Sequence, residues 1–181
     1  YLVNFLKKKF GYKIIGFFNY TILSRNLEQN LYEKIKWFLL KKTNYKNFGL
    51  YKSFGVQKFI KPILNFKQKK KQNKKYKKIK KKIKNKKQLL NLKIDKIYIG
   101  DLIYDTYLKK FYEPTILFDK KFYKLLYDFI GLYIFWIEYF KQNPVKVVIT
   151  GHFVYSYGLI VRIALNKDIE CFNITTNKIF K

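Results

Sequence analysis

The sequence predicts an α/β fold, and three observations carry that prediction. Two short apolar runs, VKVVIT at 145–150 and IECFNI at 169–174, flank a stretch of helical length at 154–168, the order of a strand, a crossover helix and a parallel strand. Both runs are continuous rather than alternating, as in parallel strands covered on two faces. Upstream, a helix-like segment at 2–10 precedes another apolar run at 12–20. Together they specify a Rossmann-like parallel sheet with flanking helices, into which the lysine tract at 66–90 enters as a long helical insertion.

Each element has its own signal. Gly11 stands where a glycine stops the first helix, and YKIIGFFNY at 12–20 reads as a buried strand. From Asn26 to Lys42 the residues Leu27, Leu31, Ile35, Phe38 and Leu39 recur at helical spacing behind Asn26 as N-cap. FGLYKSFG at 48–55 has the glycines of a short strand running into a loop. Residues 67–87 hold fourteen lysines in twenty-one positions and no acid. Phe66, Tyr76, Ile79, Ile83 and Leu90 mark one narrow stripe there, so a single long helix with a solvated basic face is expected. LKIDKIYI then reads as extended, and Gly100-Asp101 opens a helix that Asp101 caps or complements in charge.

The tripeptide EPT at 113–115 ends that helix, and 119–140 resumes as a long apolar one. Phe122 to Phe140 is 19 residues, long enough for a bilayer, but Lys124, Asp128 and Glu138 lie inside it, which favours a buried core helix. Asn143-Pro144 stops it. Gly151-His152 then falls at the tip of the strand at 145–150, where open α/β sheets bind their ligands.

A chain of 181 residues, 49% hydrophobic and 20% aromatic, suits one domain spanning 1–181 and is too apolar for disorder. The net charge of +29 suggests polyanionic partners. It is lopsided: residues 1–94 carry 28 basic and 2 acidic side chains (+26), whereas 95–181 carry 12 and 9 (+3). Only Arg25 and Arg162 are arginines, and abundant Lys, Asn, Ile, Phe and Tyr are what an AT-rich genome encodes. Scarce arginine disfavours a dedicated nucleic-acid reader. The basic helix reads first as a solvent-facing insertion inflated in lysine by codon bias, and otherwise as a surface for anionic lipid or for RNA phosphates. The chain begins at Tyr1 and has no Met, so a piece of a longer reading frame is expected. Cys171 is the single cysteine, in apolar company, and reads as inert core; one Cys and one His cannot build a metal site. No Gly-x-Gly-x-x-Gly or P-loop pattern is present.

IGDLIYDTYLKKFYEPTI at 99–116, the aromatic helix after it, VKVVITGHFVYSYGLIVRIALNKDIECFNI, and FGLYKSFGVQKFIKP at 48–62 resemble the N-terminal region of bacterial surface or capsular polysaccharide biosynthesis proteins, glycosyltransferases of the two-Rossmann-domain (GT-B) type. The lysine tract matches them only as a helical spacer. The resemblance implies an acceptor-side domain that transfers sugar from a nucleotide-sugar donor to a glycan or lipid-linked acceptor. No cofactor is implied beyond that donor, and the setting is the bacterial cytoplasm, peripheral at the inner membrane face. It also implies that these 181 residues alone do not catalyse transfer, because the donor is held mainly by the second domain. Two other readings stand beside it: an RNA-associated protein, for example ribosomal, which explains the charge but not the strand-helix-strand unit, and a non-catalytic truncated remnant.

The candidate catalytic residue is His152, the only histidine, as general base toward an acceptor hydroxyl; its bland alternative is a histidine bonded to backbone. Substrate-binding candidates are Gly151 at the same tip, Asp101 and Asp105, which share a helical face, Tyr104 beside them, and Tyr155, which can stack on a sugar. Against these, Asp101 serves equally as a cap, and Tyr155 is one of 17 tyrosines.

Overall fold

The computed structural model describes residues 2–17, 35, 38, 39, 42, 43, 47–174, 179 and 180. The chain divides into two compact units, Tyr1–Ile63 and Leu64–Lys181.

In the first unit, α1 (Leu2–Phe10) carries Lys7, Lys8 and Lys9 in its last turn, where cations suit the carbonyl end of a helix. It stops at Gly11, whose φ of 65° only glycine adopts readily, and the Gly11 N–H closes the helix on the Lys7 carbonyl. The expected strand follows as β1 (Ile15–Phe17), paired in parallel with β2 (Lys58–Ile60). The strand expected over 48–55 is instead a short helix, α2 (Asn47–Ser53). It places Phe48 edge-on to Phe59 at 5.0 Å, within a small core that includes Val56 and Ile14. Gly55, at φ 90°, terminates the turn after that helix, so its glycine is a helix-ending signal rather than a strand-ending one. The helix expected over 26–42 lies outside the described residues, save for Ile35, Phe38, Leu39 and Lys42.

The second unit is built around one long helix. The lysine tract forms α3 (Phe66–Lys80) and α4 (Lys86–Leu90) rather than a single helix. Asn65 and Gln68 form a reciprocal capping box at the start of α3, and Asn85 caps α4 through the Gln88 N–H. An asparagine at 85 thus starts a second helix where lysine spacing alone suggested continuity. A hairpin, β3 (Lys93–Ile94) and β4 (Ile97–Tyr98), replaces the expected extended run. Asp95 and Lys96 form its two-residue turn, both at positive φ, as primed hairpin turns require. Then come α5 (Gly100–Phe111), α6 (Lys120–Gln142), β5 (Val147–Thr150), α7 (Tyr155–Leu165), β6 (Glu170–Ile174) and β7 (Ile179–Phe180).

Asp119 caps α6 by accepting from the Phe122 N–H at 2.9 Å. Phe122, Leu126, Phe129, Ile130 and Trp136 of α6 are fully or nearly fully buried, as are Leu102, Ile103 and Tyr107 of α5 and Leu159 and Ile163 of α7, and α6 packs on both of those helices. The long apolar helix is therefore the spine of a core, and no described helix is long and apolar enough to cross a membrane.

The strand-helix-strand unit is present: β5 and β6 are parallel in the register Val147 to Glu170, with α7 between them, and β7 adds antiparallel to β6. The expected cover on both faces is not the arrangement seen, because β5 alternates buried and part-exposed residues. The described residues thus make a mixed α/β fold with short parallel pairs.

Candidate functional site

Helix α5 runs antiparallel to α7, and this pairing decides where each candidate residue goes. Arg162, near the end of α7, meets Asp101 at the start of α5. Its Nη1 donates to Asp101 Oδ1 at 2.6 Å and its Nη2 to Oδ2 at 2.5 Å, a bidentate fork, while Nη1 also donates to the Tyr98 carbonyl at 2.8 Å. At the opposite end, Lys109 of α5 lies 4.1 Å above the Tyr155 ring at the start of α7. Asp105 sits one turn from each on the same face of α5.

Asp101 is inside the first turn of α5, two residues after Ile99 at the N-cap position, where its charge complements the helix dipole. The Arg162 hydrogen bonds hold its carboxyl below the usual range. Asp105 is shifted the other way, first by burial and then by repulsion from Asp101. Two carboxyls a turn apart are thereby shifted in opposite directions, Asp101 down beside Arg162 and Asp105 up. Gly100 has a steric reason for being glycine. A Cβ there would lie 1.7 Å from the Leu89 carbonyl oxygen, so the start of α5 approaches the end of α4 as closely as backbone permits.

The tip of β5 is a separate place. Gly151 and His152 are both exposed. The Thr150 hydroxyl brackets the turn, donating to the His152 carbonyl at 3.3 Å and accepting from its N–H at 3.4 Å, and Tyr157 lies 6.2 Å from the imidazole. Tyr155, the first residue of α7, has φ 56°, a left-handed conformation costly for a tyrosine and held by its surroundings. Beside Thr150 in the sheet register, Asn173 keeps its Oδ1 buried without a hydrogen-bond partner among the described residues.

The structure brings together Gly151, His152 and Tyr155 at the tip. It does not bring Asp101 to them: Tyr155 to Arg162 is seven residues of α7, about 10 Å. Tyr104 turns to α4, where Lys86 covers its ring at 4.5 Å. A cavity of about 500 Å³ lies at the Arg162 end, with Leu90, Ile97, Tyr98 and Leu165 as apolar lining and Lys96, Asp101, Arg162 and Asn166 as polar lining. That volume suits a small molecule.

Sequence reasoning missed Arg162, Lys109 and Asn173. For Arg162 a signal existed, since an arginine in a chain this biased toward lysine marks a position that needs a planar fork. Nothing local distinguishes the other two. Cys171 is buried, with its thiol pushed up to about 11 by desolvation, which keeps it unreactive. Among the described residues no group of His, Cys, Asp or Glu is placed to hold a metal ion.

What the fold and site define is an α/β module with an exposed imidazole at the carboxyl end of a parallel strand and a separate small cavity. No family model matches the sequence, and neither a curated protein nor a solved structure matches it.

Proposed function

We propose that the chain is the acceptor-side module of a glycosyltransferase in surface or capsular polysaccharide biosynthesis, its β5–α7–β6 unit belonging to a Rossmann-like sheet. The observation that carries the reading is the exposed His152 at the carboxyl end of β5, in a parallel crossover whose next helix starts in a strained turn. In this reading His152 accepts the proton of an acceptor hydroxyl as that oxygen attacks the anomeric carbon and the nucleotide leaves. Tyr155 supplies a ring face for a sugar, positioned by Lys109. Gly151 leaves the approach open, since a side chain added there would meet nothing within 4 Å. The start of α7 has no side-chain cap, and the positive end of its helix dipole favours a negatively charged donor group nearby. Asp101 and Asp105 act away from this centre, Asp101 by fixing α5 on α7 through Arg162.

The test is a transfer assay with nucleotide-sugar donors on protein expressed from its full reading frame, paired with calorimetry of donor binding. His152→Ala is expected to lower kcat by 100-fold or more, the usual worth of a general base, with donor affinity and thermal melting unchanged. Unchanged turnover in that variant removes His152 from the chemistry, and absence of both donor binding and transfer removes the glycosyltransferase reading.

A further inference from the structure

Helix α3 presents one face to α6 and an entirely different one to solvent. The inner face is fully used. Gln72 is 1% exposed and donates to the Tyr127 carbonyl, Ile79 is buried, and Tyr76 meets Tyr127 edge-on at 5.2 Å. Lys71 and Lys75 flank this contact and are ion-paired, with Glu138 at 2.6 Å and Asp95 at 2.9 Å. At 100° per residue, the side opposite Gln72 and Ile79 is occupied by Lys67, Lys70, Lys74, Lys77, Lys78 and the C-cap Lys81. All six are exposed, and none forms a salt bridge among the described residues. They form a band about 21 Å long that spreads over about 100° of the helix circumference. At its start Phe66 is 74% exposed, with Lys70 Nζ 4.5 Å from the ring centroid.

We propose that this face docks the protein on an anionic lipid surface, with the lysine row over the headgroups and Phe66 inserted at the interface. A charged row needs an anionic partner, and the identity of its residues selects which one. Lysines are point charges that follow a mobile two-dimensional array of headgroups without demanding a fixed geometry. Arg162, whose fork would suit phosphate or base recognition, is turned inward to Asp101. The face is a single convex helix, and beyond Phe66 at its start no aromatic side chain is interleaved among the six lysines to stack on successive bases. Phe66 gives the apolar contact that interfacial binding adds to charge. Within the second unit, residues 64–94 carry 15 basic and no acidic side chains and residues 95–181 carry only +3, so the excess charge of that unit lies in the tract that contains α3. The proposal is independent of the glycosyltransferase reading and stands or falls by its own test.

The test is cosedimentation of the full chain with vesicles of phosphatidylcholine containing about one-third phosphatidylglycerol, against phosphatidylcholine alone, across a salt series. Binding is expected on the anionic vesicles only, weakening as salt rises. Each lysine near such a surface contributes about fivefold to partitioning. The variant with Lys67, Lys70, Lys74, Lys77, Lys78 and Lys81 all changed to glutamine is therefore expected to lose more than about a hundredfold. Glutamine keeps the helix propensity of lysine, and far-UV circular dichroism checks the fold. Phe66→Trp gives an independent readout, a blue shift of the added emission on anionic vesicles. The proposal is overturned by no vesicle binding, by equal binding to neutral vesicles, by unchanged partitioning of the glutamine variant, by no shift from Phe66→Trp, or by tighter binding to single-stranded RNA than to vesicles at the same salt.

Discussion

Gly100 and Asp101, side by side, show how a distinctive dipeptide is explained by two different contacts. Gly100 is dictated by the Leu89 carbonyl, and Asp101 by the Arg162 fork. Gly100→Ala forces backbone apart, and overpacking of this kind costs about 3 kcal/mol; urea unfolding at constant m-value is the measurement, and a loss below 0.5 kcal/mol, the size of an ordinary surface change, would contradict the close approach. His152 is legible in the sequence as the histidine at a strand tip, and the structure does leave it exposed there. The partnership of Asp101 was not legible, because Arg162 lies sixty-one residues away and only packing brings them together.

Helix α6 illustrates a conflict between an element and one of its residues. It is apolar enough to serve as a spine, yet it buries Asp128. Desolvation pushes that carboxyl up to about 6, partly offset by Lys124 and Lys110. The unfolded chain titrates near 4, so the folded state holds the proton more tightly. The contribution of Asp128 to stability therefore falls as pH rises from about 4 to about 6 and then levels off. Asp128→Asn is expected to remove that slope and to raise the unfolding free energy at neutral pH by about 2 kcal/mol, read from urea unfolding at several pH values. An unchanged slope would mean that Asp128 is ionised without penalty. Helices α1 and α6 were readable from hydrophobic pattern, with Gly11 as the stop of α1, whereas the Asp119 cap of α6 appears only in the structure. The lysine tract was misread because Asn85 restarts a helix, and residues 48–55 because Gly55 ends a helix instead of a strand. Such capping depends on backbone angles that composition does not reveal.

For the chain as a unit, charge is the dominant long-range term. With a net +29, like charges in the compact state repel one another, and salt screens that repulsion over a Debye length of about 10 Å at 0.1 M. The melting temperature is expected to rise by several degrees between about 0.02 M and about 0.3 M sodium chloride, measured by circular dichroism. A fall would show that ion pairs such as Lys71–Glu138 outweigh the repulsion. The same excess drives vesicle binding down with salt, so the two measurements have opposite signs from one cause.

The α/β class, the core helices and the strand-helix-strand order follow from local hydrophobic periodicity, which depends only on near neighbours in the chain. The tip position of His152 follows from the same order. What tertiary packing alone decided was the antiparallel seating of α5 on α7, which separates Asp101 from His152, joins it to Arg162 and opens a cavity at that end. It also decided which lysines of α3 face α6 and which face solvent. These outcomes depend on contacts between residues distant in sequence, whose distances and directions are set by how whole helices pack.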